Sequence, residues 1–131
     1  MSTTGALGLL VSRLVFGLSM AIAHGVGKVP PSEKFINKVD ALGFPSPELF
    51  AWGAGLSELI GGCLIAAGLL TRLSSLFLLS TMIVAVFVAH AGDPFAKQEL
   101  GLLYGAFSLL LILTGPGKFS LDNLVFNRKG D

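Results

Sequence analysis

Four apolar runs of roughly twenty residues, separated by short polar joints, decide what this chain can fold into. They lie at about 6–26, 47–70, 72–92 and 94–114. A helix rises about 1.5 Å per residue, so about 20 residues cross a hydrocarbon core near 30 Å thick. Each run is long enough. Charged residues make up 13% of the chain, against about 25% in soluble domains. Helices so long and so poor in charge leave no polar outer face for water. The expectation is an all-α fold: a four-transmembrane-helix bundle in one membrane domain spanning residues 1–131.

The joints carry turn and cap chemistry. Ser46-Pro47-Glu48 reads as an N-cap, a proline at the first helical position and an acid in the first turn. Asp93-Pro94 repeats that start signal after Gly92, and Thr71 reads as the cap of the third helix. Gly115-Pro116-Gly117 ends the fourth. The longest joint, 27–48, holds Ser32 followed by Phe35, Ile36, Val39 and Leu42 on one side of a helical projection. That is either a short interfacial helix on the bilayer surface or an ordered polar loop.

Several classes fall away. The net charge of +1 comes without a basic patch, so no nucleic-acid partner is expected. The single cysteine, Cys63, cannot form an internal disulfide or a Cys-x-x-Cys pair. The first run has no basic residue before it, unlike a cleaved signal peptide. No His-x-x-x-His or Glu-x-x-His spacing fixes two ligands on one helix, so no metal is expected.

Four spans put both termini on one side. Arg72, Lys118, Arg128 and Lys129 share that side, with Arg13 close by; Lys28, Lys34, Lys38 and Lys97 lie opposite. The balance tips slightly towards cytoplasmic termini. Arg13, Gly17, Ala21 and Gly25 recur every four residues on the first helix. Ala54, Glu58, Gly62 and Ala66 do so on the second. Small residues at this spacing let helix backbones approach closely in lipid.

Ionisable groups inside a span need a partner or a task. Glu58 lies mid-helix, too short to reach water. Arg13 is its natural counter-ion within the span; alternatively Arg13 reaches Asp122 in the tail and ties the helices to it. His24 and His90 end helices that run the same way. With Lys28 and Glu99 they converge on one membrane level, above Glu58. Two readings stand. These five groups line a pocket for a polar ligand head, or they cap and anchor helices.

The series "HGVGK" at 24–28, "ELIGG" at 58–62 with "GLLTR" at 68–72, and "GPGKFSLD" at 115–122 resembles the DoxX family of small bacterial membrane proteins. The resemblance covers nearly the whole chain. It implies a four-helix bundle in the bacterial inner membrane with both termini cytoplasmic. It also implies association with membrane oxidoreductase systems, the family name coming from a thiosulfate:quinone oxidoreductase subunit. Related thiol–disulfide bundles need paired cysteines, which this chain lacks. Two functions follow as expectations. The first is a redox component, catalytic or not, that binds a quinone head among His24, Lys28, Glu58, His90 and Glu99 and takes electrons from a membrane or soluble redox partner. The second is a non-enzymatic scaffold that recruits soluble partners or forms a homo-oligomer. Transport of a small molecule is a third.

Overall fold

Residues that a water-soluble bundle would hide are turned outward here, and residues it would expose are turned in. The computed structural model describes residues 1–126; Arg128 and Lys129 of the orientation argument lie outside them. On α1 (Thr3–Ser19), Leu7, Val11 and Val15 are exposed while Arg13 is fully buried. The same inversion runs through α3 (Pro47–Ala67), α4 (Thr71–Val84) and α5 (Phe95–Thr114). Glu58, Thr71, Ser74, Ser75 and Ser108 are all buried. Apolar surface on every outer face is costly in water and cost-free in lipid. Four helical stretches are long and apolar enough to cross a membrane: Thr3–Lys28, Pro47–Ala67, Thr71–Ala89 and Phe95–Thr114.

α3 lies between α1 and α4, and α4 packs on α5. Phe16 of α1 stacks on Phe107 of α5 at 4.5 Å, which closes the ring of four. Leu9, Met20, Ile65, Leu78 and Leu111 fill the centre. The α1–α3 seam is the tightest. A Cβ at Gly17 would fall 2.5 Å from the Gly62 carbonyl oxygen, and one at Gly62 would fall 2.6 Å from the Gly17 carbonyl oxygen. Only glycine at both positions allows this approach, and it fixes the register of the antiparallel pair.

The joint before α3 forms the short helix α2 (Glu33–Ala41). Ser32 caps it, accepting from the Phe35 N–H at 3.1 Å. Val39 is buried against the bundle, and Phe35, Ile36 and Leu42 are half-buried. The joint is therefore a short helix packed on the bundle and not a polar loop.

Three cap assignments need correction. α5 starts at Phe95 with Pro94 in the cap position and no side-chain cap, while the Asp93 carboxylate meets His90. Ser46 precedes α3 in a left-handed conformation, φ +50°, and its hydroxyl makes no cap bond. Thr71 is the first residue of α4, not its cap. Leu70 holds the cap position at φ +49°. The Asp122 carboxylate does the capping from fifty residues away, accepting from the N–H groups of Leu70 at 2.7 Å and Thr71 at 2.9 Å. A carboxylate satisfies two orphan donors and complements the positive helix end, which a threonine hydroxyl cannot match. Asp122 opens α6 (Leu121–Phe126), whose approach is secured by an N–H bond from Asp122 to the Gly68 carbonyl at 2.8 Å. Lys118 Nζ donates to Thr3 Oγ1 at 2.8 Å, so the two chain ends meet at one end of the bundle.

Candidate functional site

The site lies at the bundle end opposite the chain termini, and a glycine contact sets it up. A Cβ at Gly55 of α3 would fall 2.6 Å from the Lys28 carbonyl oxygen. With the backbones so close, Lys28 Nζ reaches Glu58 one turn along α3. It lies 3.0 Å from Oε1 and 2.9 Å from Oε2. The Glu58 side chain is 3% exposed and that of Lys28 33%. Lys28 also sits over the Phe35 ring of α2, 5.4 Å from its centroid. The ammonium is thus held between a carboxylate and an aromatic face.

This arrangement corrects the expected Arg13–Glu58 pair. Arg13 is wholly buried at the other end, where its Nη2 donates to the Phe119 carbonyl. Its guanidinium lies against Gly68. Ten residues separate Glu58 from Gly68, about 15 Å along a helix, beyond the reach of one side chain. Asp122 shares the Arg13 cluster, but both its oxygens are bound to the start of α4. Arg13 therefore ties α1 to the C-terminal segment.

Above the ion pair is a cavity of about 150 Å³. His24, Lys28, Glu58 and His90 line it, as the sequence suggested, together with Met20, Met82, Val86, Lys97, Gln98, Gly101 and Tyr104. Glu99 is exposed and is not among the lining residues. Lys97, Gly101 and Tyr104 repeat at helical spacing on the cavity face of α5. Glu99 is about 200° around the helix from Lys97, which turns it away.

Both histidine-bearing runs leave α-helical geometry where they line the cavity. Met20–Gly25 and Ala85–Ala89 are π-helical turns. The Val26 N–H reaches back to the Ala21 carbonyl, and the His90 N–H to that of Ala85 at 2.9 Å. Each bond spans five residues instead of four. The wider turn shifts the register of everything after it, and such turns gather at functional sites. Here they aim His24 and His90 at the same space.

Neighbours orient the two rings. His90 Nδ1 lies 2.9 Å from Asp93 Oδ2 across a single turn. Gln98 Nε2 donates to the His90 carbonyl at 2.8 Å. With Asp93 holding Nδ1, the Nε2 side of His90 is left for a ligand. His24 packs edge-on against Tyr104, centroids 5.6 Å apart. Ser19 lies beside the Tyr104 hydroxyl. Sequence reasoning missed Tyr104, Lys97 and Asp93. Each had a signal: the sole tyrosine, set within a span; a lysine four residues before Gly101; an acid three residues after His90. Among the described residues no three His, Cys, Asp or Glu side chains gather as a metal site would need.

Comparison with known proteins gives the family. The DoxX family model matches residues 8–91. The chain belongs to the DoxX family. It is 32% identical to the Bacillus subtilis protein named "Putative oxidoreductase CatD", over 98% of this chain and 95% of that one. It is 31% identical to the Escherichia coli inner membrane protein YqjF, over 93% of this chain and 94% of that one. With the Escherichia coli inner membrane protein YphA the identity is 34%, over 87% of each chain. No solved structure matches this DoxX chain.

Proposed function

We propose that this DoxX protein is a bacterial inner-membrane component of an oxidoreductase system and binds a quinone head in the cavity above Lys28 and Glu58. The inner-membrane relatives and the relative named as an oxidoreductase support this setting. The observation that carries the reading is the cavity itself. It brings His24 and Lys28 of the first span, Glu58 of the second, His90 at the end of the third and Tyr104 of the fourth to one space.

The chemistry of a quinone suits these groups. Its carbonyl oxygen takes a hydrogen bond from the Nε2–H of a protonated His90. Its reduced hydroxyl gives one to Nε2 of the neutral ring. Reduction consumes two electrons and two protons. Glu58 and His90 are the titratable groups on hand to pass protons, and the electrons come from a partner's redox centre. With the termini cytoplasmic, the cavity opens on the opposite side of the membrane.

Purified protein in lipid nanodiscs tests this by calorimetric titration with a short-tailed benzoquinone. Binding to the wild type should weaken at least about tenfold in His90→Ala, one lost charge-assisted hydrogen bond being worth about that much, and should weaken in Glu58→Gln, which unseats Lys28. Equal binding by all three proteins leaves the scaffold reading in its place.

A further inference from the structure

We infer that the ligand of this cavity is a single six-membered ring bearing an ionised hydroxyl, with Lys97 as its counter-charge. The inference rests on the reading that the cavity takes a ring, and adds the size and charge of that ring. Size comes from volume. The cavity holds about 150 Å³, and an apolar protein cavity of about 150 Å³ accommodates one benzene ring. A fused two-ring head would leave its second ring in the open mouth beside Lys97 and Leu100.

Charge comes from pairing off the lining groups. Lys28 and Glu58 neutralise one another at 3.0 and 2.9 Å. His90 is matched by Asp93 at 2.9 Å. Lys97 lines the same cavity with no acidic partner among the described residues. It stands in the first turn of α5, whose start carries no side-chain cap. The positive end of that helix adds to the lysine charge. Lys97 and Leu100 are exposed, so the cavity reaches the surface beside them. A ring entering there meets the apolar Met20, Met82 and Val86 and the His24 ring, set edge-on to Tyr104, within, and the unmatched Lys97 ammonium at the mouth. An oxyanion on the ring edge, such as a deprotonated hydroquinone presents, completes the charge balance. Glu58 does not oppose it, because Lys28 already answers that carboxylate.

The probes are 4-nitrophenol, whose absorption changes on ionisation, and nitrobenzene, the same ring without the hydroxyl. Both are titrated at one pH into protein held in phosphatidylcholine nanodiscs. Bound 4-nitrophenol should show a phenolate-to-phenol ratio about three- to tenfold above the free probe, rim screening included. Lys97→Met should lose that excess and Lys97→Arg should keep it. Nitrobenzene should bind wild type and Lys97→Met alike. Gly101→Leu, whose Cβ falls 2.7 Å from Val86 Cγ2 and so crowds the cavity wall, should exclude both probes. If nitrobenzene binds but bound 4-nitrophenol shows no excess, or Lys97→Met keeps it, the counter-charge is overturned and the ring reading survives. If 2-hydroxy-1,4-naphthoquinone binds more tightly than 4-nitrophenol, the single-ring limit is overturned. If no probe binds, both readings fall together.

Discussion

Lys28 and Glu58, thirty residues apart in the chain, meet across the α1–α3 seam at 3.0 and 2.9 Å. Glu58 is almost fully enclosed and Lys28 one-third exposed, so removing the lysine strands the buried charge. Lys28→Met should cost about 1–3 kcal/mol, below the cost of breaking a fully buried pair because Lys28 is partly wet. Adding Glu58→Gln should recover much of that loss. Thermal unfolding of the two singles and the double in one detergent checks it, and strictly additive effects would disprove the coupling.

Arg13 is the second buried charge, and its Nη2 holds the Phe119 carbonyl. Arg13→Met should cost about 1.5–3 kcal/mol, the range for a hydrogen bond to a charged group. The loss should appear first as faster amide exchange over residues 119–124, with the cavity residues unchanged. Unaltered exchange in that segment would separate Arg13 from the tail.

Asp122 caps α4 from outside its own helix. Asp122→Ala should lower stability by about 0.5–2 kcal/mol, the range for losing a helix cap. Asp122→Asn keeps an acceptor and should lose less. Chemical denaturation in mixed micelles distinguishes the three proteins, and an Ala variant as stable as the wild type would deny the cap.

Leu70 is held in the left-handed region at φ +49°, where a Cβ costs about 1–2 kcal/mol. Leu70→Gly should therefore stabilise the fold by up to about 1 kcal/mol, the freer unfolded chain offsetting the rest. A lower melting temperature for this variant would show that the exposed Leu70 side chain contributes more than its strain costs.

Gly17 and Gly62 face each other with no room for a methyl group. Gly17→Val should force the seam apart and cost about 1–3 kcal/mol or more. Because the seam also places Lys28 on Glu58, the same change should reduce ligand binding from a distance. A valine variant with wild-type stability would exclude the close contact.

The four spans and the small-residue stripes were legible because hydrophobic length and four-residue spacing act locally along the chain. The level of His24, Lys28 and His90 was legible for the same reason, since counting spans assigns each helix end to a side. The partner of Glu58 was not. Lys28 and Arg13 sit on the same helix, and only the α1–α3 register chooses between them. Glu99 shows the other limit: the correct level does not give the correct face. Asp122 looked like a partner for Arg13, yet α4 begins beside it with two unsatisfied N–H groups that claim both its oxygens.

By itself the sequence determined a lipid-facing four-helix bundle, because burying that much apolar surface leaves no other solvent for it. It also determined which charges must turn inward, because none of them reaches water from mid-span. The tertiary structure decided which charge meets which. Glycine contacts set the helix register to within a residue, and two π-helical turns rotated the histidines onto one cavity. Those choices depend on backbone contacts between distant segments, which no local pattern encodes.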